Sequence, residues 1–143
     1  MDDVIPLMMS SMLSGTTGDP SLSGPVAIRL ATTCREDSVA AIADAVTELV
    51  TAFHQRNDAG PEAVRLVIFT ATPDLTAAKP AAAARAAGWV SAQFLCLAEM
   101  ATIDDLQRCI RALLVVDRGR GADPLKPVYL RGTQALRPDV NFD

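Results

Sequence analysis

The chain is expected to fold as an α/β (α+β) domain, a single mixed β-sheet covered by one long helix and one short helix. Three observations predict this. Five short runs rich in branched and aromatic apolar residues read as strands. One long segment carries an apolar stripe at helical spacing. The elements follow in the order β-α-β-α-β-β-β, which calls for one sheet with a main covering helix. With 143 residues the chain has room for one domain with a substantial core.

The first strand is placed at 25–32, where Val26, Ile28 and Leu30 share one face and Ala27, Arg29 and Ala31 the other. The long helix is placed at 37–56, with Val39, Ile42, Ala43, Val46, Leu49, Val50 and Phe53 as its apolar stripe. Two caps are open at this point, Thr33 paired with Glu36 or Asp37 alone. Asn57-Asp-Ala-Gly-Pro61 ends the helix. The second strand is 65–72, stopped by Pro73-Asp74, and a short Ala-rich helix at 80–87 ends at Gly88. The third strand is 93–98, and an irregular or helical link around 102–107 leads to the fourth at 109–117. Arg118 to Pro124 is a turn-rich, solvated connection, and the fifth strand is 127–131. Residues 1–24 are expected to form a flexible N-terminal extension ahead of a domain spanning 25–143. Asp2 and Asp3 stand where a signal peptide needs basic residues, and Pro6, Ser10 and Ser11 interrupt the apolar part.

Composition excludes several function classes. Seventeen acidic residues against thirteen basic ones give a net charge of −4, and no basic stripe with interleaved aromatics marks a nucleic-acid partner. No segment is long and apolar enough to span a membrane. Cys34, Cys96 and Cys109 are odd in number and irregular in spacing, which argues for a reducing compartment and an expected cytoplasmic location. They form no CxxC pair and no cluster with histidine, so no metal is expected. His54, the single histidine, falls beside the apolar stripe and reads as a helix-flank residue rather than a catalytic one. No GxSxG, GxxxxGK[ST] or strand-linked GxGxxG occurs.

Two arginines stand out by position. Arg111 lies within Cys109-Ile-Arg-Ala-Leu-Leu-Val-Val116 and shares an alternating face with Cys109, Leu113 and Val115. A guanidinium keeps its proton and is costly to bury unpaired, so a carboxylate should meet it, from the protein or from a ligand. Arg29 repeats the situation between the small residues Ala27 and Ala31. The chain has eleven arginines and two lysines, so arginine as such says little and placement carries the argument. Two strand arginines suggest a site for a small anionic molecule.

Seven motifs in order point to a family: Ile28-Arg-Leu-Ala-Thr-Thr33, Ala71-Thr-Pro-Asp-Leu75, Ala87-Gly-Trp89, Cys96-Leu-Ala-Glu-Met100, Arg108-Cys-Ile-Arg111, Val128-Tyr-Leu-Arg-Gly132 and Ala135-Leu-Arg-Pro-Asp139. Any one is weak, but their order and spacing together resemble the AroH class of chorismate mutases, the small α/β type, over about residues 25–140. The resemblance implies a homotrimer whose sheets surround a pseudo-barrel core, with sites in clefts between subunits. It implies a reaction without cofactor, metal or covalent intermediate, the rearrangement of the dianion chorismate to prephenate.

Residue by residue, the resemblance makes Arg111 the cation at the ether oxygen and side-chain carboxylate. Arg29 and Tyr129 would clamp the enolpyruvyl carboxylate, and Glu99 and Cys96 would contact the ring hydroxyl. Arg85 would face the ring carboxylate, while Leu136 and Arg137 would belong to a tail that closes the cleft. The chain departs from the family pattern at three places. Lys79 stands where an aromatic is usual, Ala82 where a lysine is usual, and Leu30 where a glycine is usual. Two outcomes are open for Lys79: on a helix, positions three apart share a face, which would let it reach the ring carboxylate in place of the missing lysine, or Pro80 ends the helix before it. Two other functions compete: a pericyclic enzyme acting on isochorismate or an amino analogue, and a non-catalytic trimer that binds a related metabolite.

Overall fold

The computed structural model describes residues 23–140. The expected extension at 1–24 therefore lies outside the described residues, apart from Ser23 and Gly24. Gly24 already opens the first strand, one residue before the start expected for that strand.

Five strands form one sheet: β1 (Gly24–Thr33), β2 (Val64–Ala71), β3 (Gln93–Ala98), β4 (Cys109–Arg118) and β5 (Val128–Tyr129). Their order is β3-β2-β4-β1-β5. The sheet is mixed. β4 runs antiparallel to both β1 and β2, while β2–β3 and β1–β5 are parallel. Helix α1 (Val39–Arg56) crosses between β1 and β2, and the short α2 (Pro80–Ala86) precedes β3.

Helix α1 buries the predicted stripe. Ile42, Val46, Leu49, Val50 and Phe53 are at most 2% exposed and pack on Leu30, Val67, Phe69, Ile110, Leu114 and Val116 of the sheet. Val39 is 63% exposed because it is the first helical residue and overhangs the sheet edge of the stripe. The cap is neither of the expected candidates. Ser38 takes that role, its Oγ accepting from the Ala41 N–H at 3.1 Å. Asp37 serves another purpose: its carboxylate accepts from the backbone N–H groups of Thr76 and Ala77 and from the Thr76 hydroxyl. Those donors hold the Asp37 carboxyl below the usual range, with the Ala77 N–H as the largest cause.

The fifth strand is shorter than expected. Arg131 (φ 52°) and Gly132 (φ 86°) take left-handed conformations that turn the chain away after Tyr129. The Leu130 N–H still donates to the Ala31 carbonyl at 2.9 Å, so the register to β1 survives one residue further.

The predicted apolar layer around Arg111 is not a buried one within this chain. The face that α1 covers carries Ile110, Ala112, Leu114 and Val116. Arg111, Leu113 and Val115 point to the opposite face, where Leu113 is 39% exposed. Leu95 and Leu97 on β3 share that uncovered side, at 53% and 46% exposed. The sheet thus has one face packed and one open. Alternation in the sequence is the same for either face, so it did not distinguish them.

His54 has a structural role. The Trp89 Nε1–H donates to His54 Nε2 at 2.8 Å, and His54 Nδ1 lies 2.7 Å from the Ala59 carbonyl oxygen. The ring therefore carries its proton on Nδ1 and offers its lone pair to the indole. This pair ties the end of α1 to the turn after α2, over the fully buried Trp89. Replacing His54 with Ala is expected to cost about 1–3 kcal/mol, because it leaves a buried indole N–H without an acceptor. Urea unfolding of wild type and variant, at matched protein concentration, checks this.

Candidate active site

The site is built from a single cross-strand row on the open face. The ladder pairs Leu97 with Thr70, Thr70 with Arg111, Arg111 with Ala31, and Ala31 with Tyr129. Directly paired residues point to the same side, so Thr70, Arg111 and Tyr129 line up across four strands with Ala31 as the low point between them. Arg29 lies two residues before Ala31 on β1 and shares its face, exposed.

Glu99 follows β3 and is held in place by its own backbone, the Glu99 N–H donating to the Ala71 carbonyl at 2.9 Å. Its side chain, only 10% exposed, reaches into the row. The Thr70 hydroxyl donates to Glu99 Oε1 at 2.9 Å. Arg111 Nε approaches the same oxygen to 2.9 Å. That contact has ion-pair distance without hydrogen-bond alignment, since the buried Nε–H lacks a directed acceptor. Of the two partners left open for Arg111, the protein supplies a carboxylate, yet it does not satisfy the guanidinium. Burial pushes the neighbouring Cys109 thiol up to about 11, with the Glu99 charge adding to the rise and Arg111 opposing it. Cys109 is inert as a nucleophile under such conditions.

A second cluster sits at the β1–β5 end. Arg137 donates to both carboxylate oxygens of Asp139 at 3.1 Å each. This fork holds the Asp139 carboxyl below its usual range, with a smaller contribution from the Arg29 charge. Tyr129, 4% exposed, also interacts with Arg137. Arg29, Tyr129 and Arg137 are therefore neighbours, and Leu136 lies half-buried in the 3-10 turn Thr133–Leu136 just before Arg137.

Three candidates are placed elsewhere. Cys96 pairs with Phe69, whose ring is buried beneath α1, so the Cys96 side chain points to the covered face, opposite Glu99. The two are not brought together on one face. Arg85 lies on α2 with its guanidinium 4.9 Å from the centre of the Phe94 ring, a cation–π contact on the covered side. Lys79 is exposed and extended (φ −88°, ψ 139°), the residue before Pro80, which occupies the first helical turn. It is therefore not on the helix, and the expected shared face with Ala82 does not exist. Leu30, the third departure, is 1% exposed and belongs to the core under α1, where a glycine would leave a void.

Thr70 escaped the sequence reading. Thr70 looked like one more β-branched strand residue, and only the register of β2 with β4 sets it beside Arg111. Among the described residues no group of three or more His, Cys, Asp or Glu is placed to hold a metal ion. No helix among them is long and apolar enough to cross a membrane.

Comparison with known proteins places the fold in a family. The family model for chorismate mutase type I matches residues 26–140. The chain is 35% identical over 116 residues to the chorismate mutase AroH of Bacillus subtilis (strain 168), covering 80% of this chain and 91% of that protein. It is 39% identical over 114 residues to the chorismate mutase AroH of Thermus thermophilus, covering 79% of this chain and 93% of that protein. A solved chorismate mutase from Clostridium thermocellum superposes with a TM-score of 0.71 at 34% identity, covering 76% of this chain and 97% of the other. The chain, with its single mixed sheet of five strands, belongs to the type I chorismate mutase family.

Proposed function

We propose that this chain is a chorismate mutase, an isomerase of aromatic amino acid biosynthesis, acting in the cytoplasm at sites shared between the subunits of a homotrimer. The observation that carries the reading is the Arg111–Glu99–Thr70 group, a guanidinium with a buried, unaligned Nε–H beside an acceptor carboxylate. The exposed part of that guanidinium, with the side chain 41% exposed, is suited to an oxygen that a ligand brings.

The chemistry asks for little else. Chorismate is a dianion whose ether C–O bond breaks as a C–C bond forms within the same molecule, so no proton, electron or group passes to the protein. Breaking runs ahead of making, and negative charge grows on the ether oxygen. A fixed guanidinium there interacts more strongly with the transition state than with the bound substrate, which is the condition for acceleration. Arg111 has that role, Arg29 and Tyr129 hold the enolpyruvyl carboxylate, and Glu99 accepts from the ring hydroxyl. Leu136 and Arg137 cover the cleft. Together they hold the compact conformer, an entropic contribution as well as an electrostatic one.

Lys79 and Arg85 complete the charge balance from another subunit. Within one chain they lie toward α2 and the covered face, away from the open row, and the concavity lined by Asp44, Glu48, Gln55 and Arg131 lies along α1 rather than at Arg111. The uncovered apolar face with Leu95, Leu97 and Leu113 supports the same assembly, because a sheet with one open apolar side is stabilised by a partner. Light scattering at micromolar concentration is expected to give a trimer; a monomer would overturn the shared site.

Purified protein is expected to convert chorismate to prephenate without added metal or cofactor, measured by loss of chorismate absorbance and by product chromatography. Turnover confined to isochorismate or to an amino analogue, or binding without turnover, would overturn the assignment. Lys79→Ala is expected to raise KM several-fold with a smaller loss of kcat. The ring carboxylate keeps its charge throughout, so its contact contributes to binding of substrate and transition state alike.

A further inference from the structure

We propose that Thr70 is a positioning residue for the rearrangement. Its hydroxyl locks the Glu99 carboxylate so that one oxygen is engaged by the protein and the other is presented to the ring hydroxyl of the substrate. The proposal rests on Glu99 being the hydroxyl acceptor and extends it to a residue that makes no contact with substrate itself.

The geometry is specific. Both protein contacts to the Glu99 carboxylate end on Oε1, from Thr70 Oγ1 at 2.9 Å and Arg111 Nε at 2.9 Å. The Thr70 contact is a directed hydrogen bond, whereas the Arg111 Nε–H is not aligned with the oxygen. No hydrogen bond within the described residues ends on Oε2. Orientation of the carboxylate therefore depends on the hydroxyl, while Arg111 supplies charge.

Thr70 suits this task for three physical reasons. Its backbone lies inside the sheet, paired with Arg111 on β4 and with Leu97 on β3, so the Cβ position is fixed from both sides. A β-branched side chain is stiff at χ1, so the hydroxyl direction is set before substrate arrives. A hydroxyl also donates without bringing charge, leaving Glu99 anionic and a strong acceptor. A lysine or arginine at position 70 would neutralise the carboxylate that the ring hydroxyl needs.

Glu99 without this anchor has a long side chain with several rotamers, and its carboxylate would no longer be held in one orientation. That would cost catalysis through a lost acceptor for the ring hydroxyl. The expected signature is a loss that appears only when both Glu99 and the substrate hydroxyl are present.

The test is steady-state kinetics on the full-length protein for wild type, Thr70→Val, Thr70→Ala, Thr70→Ser, Glu99→Gln and the double variant Thr70→Val/Glu99→Gln. Each is measured with chorismate and with a chorismate analogue lacking the ring hydroxyl. Thr70→Val is expected to lower kcat/KM for chorismate about tenfold, the scale of one oriented hydrogen bond to a charged group. Thr70→Ser keeps the hydroxyl and should restore most of that loss. The double variant should be no worse than Glu99→Gln alone, and on the analogue Thr70→Val should match wild type. A loss of equal size with the analogue, or one that adds fully to that of Glu99→Gln, would mean a merely structural role and overturn the proposal. So would unchanged kinetics in Thr70→Val. Should Thr70→Val fail to fold, judged by its melting curve, the Thr70→Ala and Thr70→Ser pair decides by the same criteria. Wild-type protein without chorismate turnover would instead sink the functional reading on which the proposal stands, a result distinct from every variant outcome.

Discussion

Arg111→Ala is expected to lower kcat by several orders of magnitude at most and two at least, equivalent to ~3–5 kcal/mol of transition-state stabilisation. The reason is local. The Arg111 side chain is 41% exposed on the open face while its Nε stays 2.9 Å from the Glu99 carboxylate, so the cation is held in place and part of it remains accessible to a ligand oxygen. The effect should fall on kcat more than on KM, because the ether oxygen carries more negative charge in the transition state than in bound substrate. Arg111→Lys is expected to recover little, since one ammonium cannot span the ether oxygen and a carboxylate in the geometry of the guanidinium fork. Steady-state kinetics, with oligomeric state checked by light scattering, gives the answer. An Arg111→Ala protein that kept most of the wild-type rate with its assembly intact would refute the electrostatic mechanism.

Phe53→Ala is expected to destabilise the fold by ~3–5 kcal/mol, the range for removing a fully buried aromatic ring. Phe53 is 0% exposed at the end of the α1 stripe, and it meets both His54 and Trp89 edge-to-face at 5.0 and 6.1 Å. Its removal opens a void beneath the sheet and loosens the support of the histidine–indole pair. Trp89 is the single tryptophan of the chain, so its fluorescence reports on that region during urea unfolding. Protein concentration must be matched between samples, because assembly adds to apparent stability. A loss below about 1 kcal/mol would show that the site collapses around the missing ring.

Much of this protein was determined by local sequence. The period-two runs placed all five strands, and the helical period placed α1 and its buried face, because those patterns follow from backbone geometry alone. Gly88 and Pro80 marked the ends of α2 through their own φ preferences. The ordered motifs around Arg29, Glu99, Arg111 and Tyr129 also carried the family, since spacing along the chain is itself a sequence property.

Other features waited for the tertiary structure. Alternation tells which residues share a face but not which face α1 covers, so the layer around Arg111 read as buried when it is the open side. Thr70, Arg111, Ala31 and Tyr129 form one row only through the register of four strands, and register is a pairing between distant segments. Ser38 rather than Thr33 or Asp37 caps α1 because Asp37 is drawn to the 76–77 backbone, a contact spanning some forty positions that no local rule contains. Cys96 faces away from Glu99 because an edge strand keeps its alternation to the end. What the sequence specified was the set of reacting groups and the elements bearing them; long-range pairing decided which oxygen, which face and which neighbour each group meets, because those are fixed by contacts between residues far apart in the chain.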